Sequence, residues 1–384
     1  MLISLLHLLS IISAVITVVS IGYCVFSIAV GVLFVRNREI PAPTGAWPPV
    51  SILKPLKGSD PQLYEALRSH CLQDYPDFEI LFGINAANDP ASAVVQRLMR
   101  EFPARTRLVH TERRLGANGK VSSLAQLAPL ASHEIILVND SDIRVEPGYL
   151  RRIVAQLDPP TVGLVTCLYR ATPATTVPAK LEALGISTDF VPGVLAARAI
   201  EGGLHFGLGS SLAFRKRELQ TIGGFESIVD YLADDYELGH RIAERNLRVE
   251  LSEYVVETQL PGYNFSGFLS HQLRWARTIR ISRPAGYLGL VLTFAWPWAA
   301  ATLVLALGAP WAWPLAAAAI TVRSAMAVVF ASWVLRDEHS LRALWLLPFR
   351  DLLAPLIWLG GLFGRKILWR GESFTLEDRK LRPI

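Results

Sequence analysis

Three short acidic clusters and one basic-aromatic segment carry the residue types able to do chemistry. Asp140-Ser141-Asp142 closes the run EIILVNDSD. Two carboxylates one residue apart at a strand end suit a hard divalent cation, Mg2+ or Mn2+, with oxygen ligands; an Asp-rich turn before the next element is the plainer reading. Asn88-Asp89-Pro90 follows FEILFGIN. There Asp89 caps the next helix with Pro90 in its first turn, or accepts from the base or ribose of a nucleotide. Asp234-Asp235-Tyr236-Glu237 opens the amphipathic stretch YELGHRIAERN. Acidic residues at a helix start are favoured by the helix dipole. Adjacent like charges also raise one pKa, as a general base requires.

The fourth segment is His271-Gln272-Leu273-Arg274-Trp275, followed by Arg277 and Arg280. It reads as a juxtamembrane basic helix with an interfacial Trp. Alternatively, Arg274 neutralises a diphosphate and Trp275 stacks on an acceptor. Gly207–Ser210 (GLGS) offers backbone amides but lacks dinucleotide GxGxxG spacing. Lys54 and Lys120 read as solvated loop lysines in preference to phosphate contacts.

These residues need elements to position them. Val50–Leu56, Phe78–Ile84, Arg107–Thr111 and Glu134–Val138 are short apolar runs, separated by helix-like stretches such as Gln62–Leu72 and Ala91–Phe102. The alternation predicts an α/β domain with a largely parallel, Rossmann-like sheet, whose ligands gather beyond the carboxyl ends of its strands. Each acidic cluster tied to such a run lies just after it.

The rest of the chain is of a different kind. Of 384 residues 51% are hydrophobic and 18% charged, and mean hydropathy is +0.33, which excludes a disordered chain and is unusual for a soluble one. Leu2 to Val35 contains no Asp, Glu, Lys or Arg and exceeds the roughly 30 Å hydrocarbon thickness at about 1.5 Å per residue. Residues 1–38 are therefore expected to be an uncleaved anchor. Arg36 and Arg38 direct the downstream chain to the cytoplasm. A Pro-rich linker, Pro41 to Pro49, precedes a soluble domain over 50–281. Membrane composition returns over 287–364, with spans at Leu288–Leu307 and Pro314–Leu335. Ala343–Phe363 is interrupted by Arg350 and Asp351 and is expected to be interfacial or re-entrant, with those two side chains pairing or snorkelling. Residues 365–384 form a basic tail, expected in the cytosol. Three cysteines (Cys24, Cys71, Cys167) without CxxC spacing argue against a disulfide scaffold or zinc site. The net charge of +5 fits Lys/Arg beside anionic lipid, with no nucleic acid partner.

With these residues in this order, Val50 to Ile281 resembles the inverting family 2-type glycosyltransferases of GT-A fold. It resembles the ceramide glucosyltransferase family, family 21, more closely. The likeness rests on SILKPLKGSDPQLYEAL, YPDFEILFGI with DPA, NDSDIRV, GSSLAFRKREL, LADDYELG and a terminal RW. It implies a UDP-sugar-dependent hexosyltransferase in which Asp89 contacts the nucleotide and Asp140 and Asp142 hold metal and diphosphate. Asp235 would then be the catalytic base, with Arg274 and Trp275 ending the Q/RxxRW motif at the donor. His271 departs from that motif's first position, and Asp142 stands where animal ceramide enzymes have glycine. Ser187–Gly193 (STDFVPG), read as an acceptor-side loop, lacks the animal His-Pro. These departures look like the bacterial hopanoid-associated branch. That branch implies an inner-membrane enzyme with a cytosolic catalytic domain, moving GlcNAc or Glc to a hopanoid polyol such as bacteriohopanetetrol. Ceramide is the alternative acceptor. A processive polysaccharide synthase would need more C-terminal spans to form a channel, and a non-catalytic sugar-nucleotide-binding scaffold would not need Asp235.

Overall fold

The computed structural model describes residues 2–36, 47–58, 60, 62–86, 88–369 and 372–384. Most of the Pro-rich linker, including Pro41 and Pro43, falls outside them. The chain divides into two compact units, one made of Arg38–Thr172, Ile200–Pro261 and Trp369–Ile384, the other of Met1–Asn37, Pro173–Ala199 and Gly262–Leu368.

The first unit is built on an eight-stranded sheet. Its strands are β1 (Val50–Leu56), β2 (Phe78–Ile84), β3 (Thr106–His110), β4 (Ile135–Val138), β5 (Ile143–Arg144), β6 (Val162–Pro173), β7 (Leu212–Arg215) and β8 (Arg248–Leu260), in the order β3-β2-β1-β4-β7-β6-β8-β5. The half β3-β2-β1-β4 is parallel, with Val50 opposite both Phe78 and Ile135, as the strand–helix alternation predicts. Antiparallel pairing begins at β7, which runs against β4 and β6. β1 and β4 are buried along their whole length, as expected of strands covered on both faces. The four parallel strands release their loops at one edge, so the segments after Leu56, Ile84, His110 and Val138 emerge side by side. The predicted boundaries shift by one residue: Arg107–Thr111 becomes Thr106–His110, and Glu134–Val138 loses Glu134.

One glycine fixes how a helix meets this sheet. A Cβ on Gly83 of β2 would lie 2.5 Å from Ser123 Oγ and 2.9 Å from Leu127 Cδ1. Only glycine allows helix Gly119–Leu127, which carries Lys120, to pack this closely. Asn118 caps that helix by accepting from Val121 N (3.2 Å) and donates to Tyr231 O (2.7 Å).

The C-terminal residues also differ from expectation. Glu372–Glu377 and Lys380–Pro383 pair as an antiparallel hairpin within this unit. Phe374, Leu376 and Leu381 are buried, and Leu381 N donates to Asp230 O (2.7 Å). The basic residues mask an alternating apolar face, so this stretch is a folded element.

The second unit is helical. Leu2–Arg36 is one helix whose buried face carries Ser10, Ser13, Thr17, Ser20, Cys24, Ser27 and Gly31 before it ends on Phe34, so that a stripe of small residues at helical spacing lets neighbours approach. Thr17 and Thr302 hydroxyls lie 3.1 Å apart, and Ser20 Oγ donates to Leu292 O (2.7 Å). Among the described residues four helices are long and apolar enough to cross a membrane, or five if the bent pair Pro284–Thr293 and Ala295–Leu305 counts as one span.

One of the four is Val177–Ile200, which the sequence places in the soluble domain with a loop at STDFVPG. That loop is helix: Ile186–Phe190 forms a π-helical turn between Val177–Gly185 and Val191–Ile200. Its polar residues, which read as loop, find partners inside the unit. Ser187 Oγ donates to Asp337 Oδ2 (2.6 Å), Thr188 Oγ1 to Leu184 O (2.8 Å), and Asp189 accepts from Arg323 (2.7 Å). Asp351 takes two bonds from the buried Arg323 guanidinium (3.0 and 2.6 Å), and Arg350 reaches Asp189 (3.1 Å). Arg350 and Asp351 are thus both ion-paired. Breaking such a buried pair on one side leaves an uncompensated charge, at a cost on the order of 3 kcal/mol. Arg323→Met should therefore lower the melting temperature in detergent sharply, and adding Asp351→Leu should recover much of the loss. Equal stability of the single and double variants would contradict this pairing.

Candidate active site

The site grows from the loop after β4. Asn139 is fully buried and donates to Tyr149 OH and Ser210 O, both at 2.9 Å, which fixes the strand end. The next residue, Asp140, then faces Lys120: Asp140 Oδ1 lies 2.7 Å from Lys120 Nζ, which also lies 3.0 Å from Asp234 Oδ2. The Asp140 carbonyl accepts from Lys54 Nζ (3.1 Å), and Lys54 has no exposed surface. Neither lysine is a solvated loop residue. Both are drawn inward because aspartates from distant loops gather around them.

Asp235 lies in the first turn of helix Asp234–Ala243. Its Oδ2 accepts from Gly209 N (2.7 Å) and its Oδ1 from Tyr236 N (2.8 Å). A Cβ on Gly209 would stand 3.1 Å from Asp235 Oδ2 and 3.2 Å from Asp140 Oδ2. The two carboxylates therefore converge on one point, and the GLGS segment supplies the amide between them. Asp142 follows the same loop; its Oδ2 accepts from Thr258 Oγ1 (2.5 Å). Asp89 sits apart, accepting from Gly58 N with both oxygens (3.0 Å each) and from Ala91 N (2.9 Å). It ties together the loops after β1 and β2.

The electrostatics follow from this crowding. Burial, then the neighbouring Asp234 charge, pushes the Asp235 carboxyl up to about 6, against the pull of Lys120. Burial and the Asp140 charge push Asp142 up to about 6 as well. Burial brings Lys54 down to about 7 despite Asp140 and Asp142. Burial would lower Lys120 too, but Asp140, Asp234 and Asp235 outweigh it and hold its pKa well above the usual lysine value. Among the described residues no three acidic, His or Cys side chains are grouped to hold a metal by themselves. Asp140 and Asp142 nevertheless fit an Mg2+ or Mn2+ of the kind that takes one or two carboxylates and completes its shell from substrate phosphates. Asp142, crowded by a like charge, is the carboxylate whose ionised form a cation would favour most.

Beside the cluster a cavity of about 220 Å³ opens over the ends of β1 to β3, with Asn85, Thr111, Ser122, Lys120 and Arg114 in its wall. Asp89 is not in that wall. A larger cavity of about 330 Å³ is lined by Glu237, His240 and Arg241 and by none of the clustered aspartates.

The basic-aromatic segment belongs to the helical unit. It lies in helix Phe265–Ser282, capped by Asn264 accepting from Gly267 N (2.7 Å). His271 Nδ1 lies 3.0 Å from the buried Glu182 Oε1, and its ring stacks on Tyr263. Trp275 packs against His271 and Phe190, with centroids 5.3 and 6.0 Å away. Arg274 is half-buried. Arg277 donates to Phe363 O and Lys366 O, and Arg280 to Leu362 O and Gly364 O. These two arginines cap the carbonyls at the end of helix Leu347–Leu362.

A parallel half-sheet with acidic loops at its carboxyl edge places the chain among the α/β folds that gather ligands beyond their strand ends. The chain aligns over 92% of its length with 99% of a mannosyltransferase from Pyrobaculum calidifontis solved with GDP-Man and Mn2+, at TM-score 0.56 and 23% identity, which establishes a GT-A-like fold. Residues 12–381 match the model of glycosyl transferase family 21, and the chain belongs to that family. It is 28% identical over 232 residues to ceramide glucosyltransferase 3 of Caenorhabditis elegans, and 23% identical over 376 residues to ceramide glucosyltransferase 1 of the same organism. The match spans half of the first relative's length and 78% of the second's.

Replacing Lys120 by Met removes the cation shared by Asp140 and Asp234. The folded protein should lose stability at pH 7.5, and the gap from wild type should narrow toward pH 5 as the neighbouring Asp235, whose carboxyl is already pushed up to about 6, takes up a proton. Thermal melts across that range check this, and a gap independent of pH would contradict it.

Proposed function

We propose that the chain is a membrane-embedded, inverting glycosyltransferase that moves a hexose or N-acetylhexosamine, Glc or GlcNAc, from a UDP-sugar to a hydroxyl of a membrane lipid. The observation that carries the reading is the convergence of Asp140 and Asp235 on Gly209 beside the largely buried Lys120, in a chain of family 21. Asp235 is the base. With a pKa near 6 it is mostly ionised at neutral pH yet basic enough to take the acceptor's proton as its oxygen attacks the anomeric carbon. The C–O bond to the UDP diphosphate breaks on the opposite face, giving a β-glycoside. Asp142 and Asp140 would hold Mg2+ or Mn2+, which when bound supplies positive charge for the departing diphosphate. Lys120 keeps Asp140 oriented, Asp89 braces the nucleotide side, and Arg274 and Trp275 serve donor phosphate and acceptor.

The acceptor is a lipid. The names of the ceramide glucosyltransferase relatives support ceramide, while the complete Asp-x-Asp and the absence of His-Pro in Ser187–Gly193 support a hopanoid polyol. The catalytic unit is assigned to the cytosolic side of the membrane, taken to be a bacterial inner membrane, because Arg36 and Arg38 lie at the end of the first apolar run.

Incubating the purified protein with labelled UDP-Glc or UDP-GlcNAc and either ceramide or bacteriohopanetetrol tests the reading: a labelled lipid is expected, and polymer or no product would overturn it. A general base contributes about 10²–10⁴-fold, so Asp235→Asn should lose that much in kcat while still binding UDP. In the wild type kcat/KM should fall as pH drops through about 6 and the Asp235 carboxyl takes a proton. Unchanged turnover in the variant would remove Asp235 from the mechanism.

A further inference from the structure

The C-terminal hairpin reaches the cavity beside the carboxylate cluster. Glu372 and Phe374 both line it, together with Lys57 and Arg114. The Glu372 carboxylate lies 2.7 Å from Arg114 Nη2 and 3.8 Å from Lys57 Nζ, and all three side chains are about half exposed. Farther along, Arg379 in the hairpin turn pairs with the buried Glu237 (2.9 Å), two residues beyond Asp235. The hairpin is therefore anchored at the base-bearing helix and extends an acid across the two cations at the cavity mouth.

The wall of that cavity carries a net positive charge: Lys57, Arg113, Arg114 and Lys120 outnumber Glu112 and Glu372, with the Asn85 amide beside them. A nucleoside diphosphate has the matching parts, two charged phosphates and a polar base and ribose. Glu372 occupies the cations such a ligand would seek. Because the pair is solvent-exposed it is weak, and a doubly charged ligand displaces it at small cost.

We propose that Glu372 is an internal competitor for the diphosphate of the donor: its carboxylate holds Lys57 and Arg114 until a nucleoside diphosphate takes them over, which sets donor affinity. The inference rests on the nucleotide-sugar reading above, and the test separates the two. UDP and inorganic pyrophosphate are titrated calorimetrically into the full-length protein, wild type, Glu372→Gln and Arg114→Ala, with Lys57→Ala/Arg114→Ala/Glu372→Gln as a further variant. Glu372→Gln should bind both probes about fivefold more tightly, the gain expected when an exposed ion pair no longer competes. Arg114→Ala should bind both more weakly than wild type, and the triple variant should lose the gain. Equal or weaker binding by Glu372→Gln overturns the competition. If UDP binds all variants alike, the donor reading stands and Glu372 is only structural. If pyrophosphate alone binds and shows the Glu372→Gln gain, the anion gate stands and the uridine donor falls. If neither probe binds any variant, both fall.

Discussion

Like charges brought together demand a cation, and Lys120 supplies one between Asp140 and Asp234. Asp140, in the loop after β4, and Asp234, at the start of helix Asp234–Ala243, share its ammonium group. Without it, their like charges would repel and push the loop after β4 away from that helix. Much of the local architecture reads as support for that contact. Gly83 lets helix Gly119–Leu127 sit low on β2, Asn118 ties its start to Tyr231, and Asn139 clamps the end of β4. The residual repulsion is kept where it is useful: Asp235 and Asp142 retain raised pKa values, one suited to a base and the other to a cation.

The helical unit meets the same constraint in a different solvent. Arg323 is shared by Asp351 and Asp189, and Asp189 is shared by Arg323 and Arg350. In hydrocarbon the alternatives are poorer still, so these residues act as fixed links between helices. Around them the packing depends on small residues, with the serine and threonine stripe of the first helix turned inward and its larger aliphatic side chains outward.

The parallel half of the sheet was legible because short apolar runs alternate with amphipathic stretches, and Asp89 and Asp140-Ser141-Asp142 stood out because each follows such a run, whereas Asp234–Glu237 opens a helix. Lys54 and Lys120 were not: a lysine's burial is decided by carboxylates that arrive from other loops, and nothing in its own neighbourhood signals them. Val177–Ile200 was hidden because Ser187, Thr188 and Asp189 interrupt its hydropathy, and their partners, Asp337 and Arg323, lie far along the chain. The C-terminal hairpin was hidden by its lysines and arginines, although Phe374 and Leu376 alternate as a half-buried strand should. The spacing of Ser10, Ser13, Thr17 and Ser20 was a readable signal that a hydropathy average conceals.

On the proposed function, the Asp140–Asp142 loop and its neighbours form one metal-and-diphosphate site. Electron paramagnetic resonance of Mn2+ titrated into the purified protein, with and without UDP, tests it most directly. The free-ion signal should fall when wild-type protein and UDP are both present, and should persist with Asp142→Ala. Equal sequestration of Mn2+ by wild type and Asp142→Ala would contradict the account.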